Sequence, residues 1–366
     1  MVPYFITIIL MVVFAAAAQT TRRVDTSNRL SESKPASKVT CALLILAVIP
    51  LVFTAGFRYY IGTDFGAYYK ANEVFGDEVW ERLKTLTEPG IPLIIKIVNI
   101  FTKDNGAYIF AFAFFTIVPT AYVFLRRSND YTKVLLLYVF CGCWHGSFNG
   151  VRQYLAATVI IFGHRYILDK KLLKYALCVF VAFLFHRSAI IMIVPYFVMR
   201  GKINVRNILL LALGTLIVSA NYETIFSIIG DAKGHDISIS IYSNTAVNVL
   251  RVLANCAPAI LAVIMYIKKK PNPEQTFYIN GLIMNAAAMI AASNSTYLAR
   301  VSVYTGLFIP IGLSKLIHFD NKRIERMAWF AIIVLFAIFW YYEVSTHPAL
   351  NDFRWVWERD LIKGVS

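Results

Sequence analysis

Residues 40–70 read TCALLILAVIPLVFTAGFRYYIGTDFGAYYK. The first eighteen, 40–57, carry no charge and are close to the ~20 residues a helix needs to cross a hydrocarbon core. The next thirteen, 58–70, pack Arg58, Asp64 and five aromatic rings directly behind that run. A chain that leaves an oily segment and at once presents a guanidinium, a carboxylate and a cluster of rings has crossed from one solvent into another.

Apolar runs recur outward from this stretch, at roughly 3–18, 40–57, 106–125, 132–148, 151–168, 173–186, 188–199, 207–222, 244–267, 276–292, 299–317 and 328–342. Hydrophobic residues make up 58% of the 366, charged residues only 16%, and mean hydropathy is +0.60. A soluble domain carries about 25% charged residues, so an integral membrane protein is expected. The fold class expected is all-α, a polytopic membrane protein of about 12 transmembrane helices with a GT-C-like organisation. It forms one domain over 1–366, with larger hydrophilic segments at 58–105, 223–243 and 343–366. Residues 91–102, IPLIIKIVNIFT, hold Lys96 at their centre and are too short to cross. They are expected as an interfacial or re-entrant half-helix, which membrane proteins tolerate beside a cavity.

Charge orients the chain. The loops 19–39, 126–133, 169–174, 200–206, 268–275 and 318–326 hold 20 Lys/Arg and 7 Asp/Glu, against 13 and 14 in the alternate segments. Under the positive-inside rule the first set is cytoplasmic, and both termini lie outside. No basic residue precedes the first apolar run, so it is read as a membrane helix and not a signal peptide. The net charge of +15 comes from scattered short clusters and not from one stripe, so no nucleic-acid partner is expected. Cys41, Cys141, Cys143, Cys178 and Cys256 lie in or beside apolar runs without metal-type spacing. They read as small core residues, and no metal or cofactor is expected.

Ionisable side chains at the rim of a span are costly to place and usually face a cavity or a partner. They collect at the ends assigned outside. Arg58 opens the first such turn, with Tyr59, Tyr60, Gly62, Thr63, Asp64, Tyr68 and Tyr69; WHGSFNGVRQYLAAT places His145, Asn149, Arg152 and Gln153 at the next. LFHRSAIIMIVPYF adds His186, Arg187 and Ser188, Arg251 lies about two turns inside the run 244–267 from its outer end, and ASNSTYLAR supplies Tyr297 and Arg300. The bland alternatives are interfacial anchoring for Arg58 and its tyrosines, snorkelling for Arg152, and a satisfied core histidine for His186. Five arginines and a histidine on one face suit an anion better, because guanidinium groups bind phosphate oxygens bidentately and stay charged. In a membrane the natural anion is a lipid-linked phosphate or pyrophosphate, with the neighbouring rings stacking on sugar faces and hydroxyls and the Asp64 carboxylate binding sugar hydroxyls. No Walker A loop, HExxH, DxD pair or paired intramembrane carboxylates occur.

Four elements in order, R-Y-x-I-G-T-D-F-x-x-Y, E-P-G-I-P-L, F-N-G-V-R-Q-Y-L-A and F-H-R-S-A, resemble the EpsG family of bacterial membrane proteins, related in role to Wzy-type O-antigen and capsule polymerases. The resemblance covers roughly residues 40–310 and is densest from 58 to 190. It implies a glycosyltransferase at the outer face of the bacterial cytoplasmic membrane that joins oligosaccharide repeat units carried on undecaprenyl pyrophosphate. Partners would be that lipid-linked oligosaccharide, membrane lipids, and a chain-length regulator and flippase of the same pathway. The roles expected are Arg152, Arg251 and Arg300 on the pyrophosphate, and Asp64 or His186 as general base with Arg58 orienting Asp64. Tyr60, Thr63, Tyr68, Gln153, Arg187, Ser188 and Tyr297 would contact substrate. Three rivals stand beside this reading. A flippase for the same lipids would need charges toward both faces, an acyltransferase would use a cytoplasmic-side histidine such as His164, and a ligase shares the donor chemistry.

Overall fold

A computed structural model describes residues 1–21, 37–76, 78–128, 130–201, 214, 217, 246–267, 270–296 and 298–359. The expected span 207–222, apart from 214 and 217, the hydrophilic segment 223–243 and Tyr297 lie outside the described residues.

Among the described residues, five helices are long and apolar enough to cross a membrane: α1 (Val2–Thr20), α2 (Lys38–Gly56), and three further along the chain, Asn105–Arg127, Val249–Tyr266 and Lys322–Thr346. Between α2 and the third lie β1 (Arg58–Tyr59), α3 (Phe65–Tyr69), α4 (Ala71–Phe75), α5 (Val79–Lys84) and α6 (Gly90–Asn99). The chain then continues through α7 (Asn105–Arg127), α8 (Tyr131–Phe140), α9 (Cys143–Gly146), α10 (Val151–Leu168), α11 (Leu172–Phe185) and α12 (Pro195–Val198). The last part holds α13 (Val249–Tyr266), α14 (Pro273–Ala291), α15 (Ser302–Gly306), α16 (Phe308–Leu316), α17 (Lys322–Thr346), α18 (Pro348–Asn351) and β2 (Arg354–Trp355). This is a mostly helical membrane protein.

Helix starts follow local chemistry. Ser37, Asp104, Asn248 and Asn321 each accept a backbone N–H of the helix they precede, and Asn272 and Gln275 form a reciprocal capping box at α14. The expected runs 151–168 and 173–186 appear as α10 and α11 with ends shifted by no more than one residue. Three others are broken. Run 132–148 stops as a helix at Phe140, where Gly142 turns left-handed at φ +84°. Run 188–199 is a 3₁₀ helix, Arg187–Ile193, followed by α12, and run 299–317 is a 3₁₀ turn, then α15 and α16. The helical ladder breaks at glycine and proline steps, Gly142, Pro195 and Gly306.

The half-helix is present as α6. Ile91, Ile94, Ile95 and Val98 face inward while Lys96 is exposed. Ten residues at 1.5 Å each give about 15 Å, half the depth of a hydrocarbon core.

Contacts sort the chain into two rims. At one, the Tyr4 hydroxyl donates to Leu350 O at 3.0 Å, Gly62 N donates to Ala349 O at 2.8 Å, and β1 pairs antiparallel with β2. At the other, Tyr131 N donates to the Gln19 side chain at 3.0 Å and Lys315 meets Glu274 at 3.5 Å. The long described helices run between these rims. In the tail, NDFRWVWERD folds back as β2 and one 3₁₀ turn, with Trp355 N donating to Glu358 at 2.8 Å. The all-α expectation therefore misses one two-stranded pairing, between segments some 300 residues apart.

Candidate active site

The first rim gathers the four sequence elements in two interlocked groups. In one, Arg58 is 3% exposed and lies 4.6 Å from the centre of the Phe148 ring. Its guanidinium donates to the carbonyls of Ala55, Ile61 and Phe148. Gly62 adopts φ +102°, and a Cβ there would stand 2.5 Å from Phe148 O, so the turn requires glycine. Thr63 N then donates to the Asn149 side chain at 2.7 Å. Arg58 thus holds the turn together through main-chain carbonyls. The expectation that it orients Asp64, or meets substrate, is corrected: its hydrogen bonds go to backbone.

The anchoring role assigned to the tyrosines changes as well. Tyr59 is buried against Phe65 and Tyr69, whereas Tyr60, at φ +52°, is 62% exposed. Tyr60 is the ring this turn presents to its surroundings.

The second group centres on Glu88. Its Oε2 accepts from Arg152 Nη1 at 2.5 Å. Its Oε1 accepts from His186 Nδ1 at 3.0 Å and from Arg187 N at 2.9 Å. Each contact has a local cause. Arg152 is the second residue of α10, so its side chain emerges at the rim and passes over the Phe75 ring at 5.7 Å. His186 ends α11 in an extended conformation, which leaves the N–H of Arg187 without a helical acceptor and free to find Glu88. Leu86 and Glu88 both have positive φ, +51° and +58°, and the Arg187 guanidinium clasps Leu86 O. Such backbone costs of order 1–3 kcal/mol per residue and persists where surrounding contacts over-determine it, most often at functional sites. Gly90 makes the approach possible, because a side chain there would collide with the Phe185 ring.

Burial alone would raise the Glu88 carboxyl. The hydrogen bond from His186, the charge of Arg152 and the Arg187 N–H overcome it and hold the group at about 2. Glu88 is therefore an anion seated in a cationic cradle.

Other expected residues surround this centre. The Tyr68 hydroxyl shares Arg152 with Glu88. Asp64, whose Oδ1 accepts from Thr63 Oγ1 at 3.3 Å, is raised above the usual aspartate range by burial, against the lowering charges of Arg300 and Arg152. Gln153 donates to Arg300 O at 3.0 Å, and Ser188 and Tyr304 share a hydrogen bond of 2.8 Å. The structure thus brings together Asp64, Thr63, Tyr68, Arg152, Gln153, His186, Arg187, Ser188 and Arg300. Arg251 lies at the same rim but is matched to a carboxylate of its own, Glu343 on α17, through Nε at 3.0 Å and through Nη2. His164 is buried at the opposite end, with Nδ1 beside Ile161 O.

Glu88 is not among the residues expected at the site, although it opens the E-P-G-I-P-L element. An acidic residue followed by Pro-Gly directly before an apolar half-helix was the available signal. Tyr304, inside an apolar run, gave none.

No curated protein and no solved structure matches the chain. Residues 41–356 match the profile of the EpsG family. That span takes in α2, both interlocked groups and β2, and the chain belongs to the EpsG family, which is associated with glycosyl transfer in polysaccharide synthesis.

Proposed function

We propose that this chain is a polysaccharide polymerase at the outer face of the bacterial cytoplasmic membrane, with the Glu88–Arg152–His186 rim as the outer one. It joins oligosaccharide repeat units carried on undecaprenyl pyrophosphate, transferring the growing glycan from its carrier to the terminal sugar of an incoming unit. The observation that carries the reading is the Glu88 carboxylate seated among Arg152, His186 and the Arg187 N–H. A site that holds a carboxylate in this way can hold a phosphate in its place, since both accept bidentate, charge-assisted hydrogen bonds.

The donor is already activated. An acceptor hydroxyl attacks the anomeric carbon as the bond to pyrophosphate breaks, and negative charge grows on the departing group. Fixed cations aimed at that charge stabilise the transition state more than the ground state. Arg152, with Arg300 and Arg187 beside it, takes this role in the reading. Glu88 is too weak a base at about 2 and instead orients Arg152 and His186 until substrate displaces it. Asp64 is the better acceptor for the proton of the attacking hydroxyl, because burial lifts it toward the working range.

The test is deletion of the gene followed by electrophoresis of surface glycan. Loss of the ladder with single-repeat material retained is expected. Loss of all surface material, with units trapped inside, makes the chain a flippase instead. A second check follows from Asp64. Polymer synthesis in membranes declines on acidification with a midpoint above the ordinary aspartate value of 3.8, and Asp64→Asn removes activity at every pH.

A further inference from the structure

Two cavities outside the Glu88 site meet at one ring. The first, about 540 Å³, opens at the same rim and is lined by Phe57, Phe110, Val356 and Trp357, with Asp104 and Arg359 as its charged members. The second, about 570 Å³, is an apolar groove between α2 and α7, lined by Leu44, Val48, Val52, Phe114 and Val118. Phe110 belongs to both. The seam is aromatic throughout: Phe57 packs on Phe110 with ring centres 5.4 Å apart, and Phe53 of the groove lies 6.2 Å from Trp357 of the rim pocket.

The rim pocket has the chemistry of a saccharide site. Trp357 is 55% exposed yet held in place, stacked on Trp355 at 4.7 Å and 11°. Asp104 and Arg359 face each other at 3.1 Å, giving one carboxylate for sugar hydroxyls and one guanidinium for an anion. An aromatic face with a few placed polar groups is how concave sites fix a small ligand's orientation. The groove is apolar along most of its length, which suits a hydrocarbon tail, with Arg126 and Tyr131 lining its end away from the rim pocket. It runs along α2 from Cys41 to Phe53, which at 1.5 Å per residue is about 18 Å of the ~30 Å hydrocarbon depth. A groove of about 570 Å³ between one pair of helices suits a single chain, whereas a bilayer phospholipid brings two and has no sugar to place against Trp357.

We infer that the α2–α7 groove and the Trp357 pocket together bind one polyprenyl-linked saccharide, its isoprenoid chain in the groove, its phosphate at Arg359 and its first sugars against Trp357, Phe57 and Asp104. The assignment rests on the polymerase reading and adds to it a second place, beside the Glu88 centre, where a carrier lipid docks. The two places are joined. Arg359 also hydrogen-bonds Tyr69, and Tyr69 stacks at 5.3 Å on Phe65, the neighbour of Asp64. The C-terminal strap that carries Trp355 and Trp357 is pinned to β1 by Trp355 opposite Arg58. A lipid in the groove therefore delivers its headgroup two rings, Tyr69 and Phe65, away from the proposed base.

The test uses the full-length chain in detergent micelles with undecaprenyl phosphate as probe and phosphatidylglycerol as the competing lipid, read by native mass spectrometry. Undecaprenyl phosphate is expected to bind at least about tenfold more tightly than phosphatidylglycerol, and Val48→Trp, which fills the groove, to remove that preference. Ile45→Trp repeats the block from an exposed position and guards against a folding defect at Val48. Equal binding of the two lipids, or undiminished binding in a folded blocked variant, overturns the assignment. In cells, blocked variants should shorten the glycan ladder. An unaltered ladder in a blocked variant, where Arg152→Ala abolishes it, removes the groove and leaves the polymerase standing. A ladder that survives deletion of the gene removes the polymerase reading itself, whatever the micelle measurement gives.

Discussion

Arg58 and Arg152 are the same residue type at the same rim, in sequence elements that look equally polar, and the structure uses them in opposite ways. Arg58 is buried and bound to three main-chain carbonyls. Arg152 is partly exposed and bound to a side-chain carboxylate that an anionic substrate can replace. A guanidinium committed to backbone is part of the fold, whereas one neutralised by a side-chain carboxylate is available for chemistry when an anion takes that carboxylate's place. The difference is in the partner and not in the arginine.

Replacing each residue should separate the two roles. Arg58→Ala leaves three buried carbonyls without donors and a void under Phe148, and the expected cost is about 3–5 kcal/mol, seen as loss of folded protein in membranes. Arg58→Lys recovers little of it, since one ammonium cannot reach three carbonyls in a fixed fork. Arg152→Ala should leave the amount of folded protein near wild type while polymer synthesis falls by about 10²–10³-fold, the usual loss when one donor to a developing anion is removed.

Glu88→Gln sharpens the comparison from the other side. Because the folded carboxyl is held near 2, below its ordinary 4.5, its contribution to stability is complete above about pH 4.5 and is lost as pH falls through 2. The stability difference between wild type and Glu88→Gln in detergent should therefore be constant near neutrality, at about 2 kcal/mol after screening at the partly exposed Arg152, and close on acidification. A gap that widens on acidification would mean that Glu88 is not held as an anion. The smallest effect belongs to Tyr60→Ala: an exposed ring should cost less than about 0.5 kcal/mol in stability. Its removal tests whether that ring touches glycan at all.

Much of the fold was legible because a membrane helix is written in consecutive residues. The uncharged run 40–57 and the runs that became α10 and α11 state their length directly, and Lys96 inside a twelve-residue apolar stretch marks a half-helix. The polar rim was legible for the same reason, since charge at the end of a span is visible locally. What each charge binds was not. Glu88 meets Arg152 and His186 across separations of 64 and 98 residues, and Arg251 meets Glu343 across 92. Nothing in the neighbourhood of Arg58 distinguishes it from Arg152, because the three carbonyls that capture it appear only once α2, the Gly62 turn and the 148–150 turn are packed. The fold of the tail was not legible for a related reason: the pairing of Arg354 and Trp355 with β1 is a contact across almost the whole chain.

The central claim is that Arg152, and not Arg58, is the arginine whose charge acts in catalysis. The direct measurement is the surface-glycan ladder in cells carrying Arg152→Ala, with the amount of membrane-inserted chain quantified in the same samples. The account predicts wild-type protein and a ladder collapsed to single-repeat material. An intact ladder at wild-type protein level would contradict it.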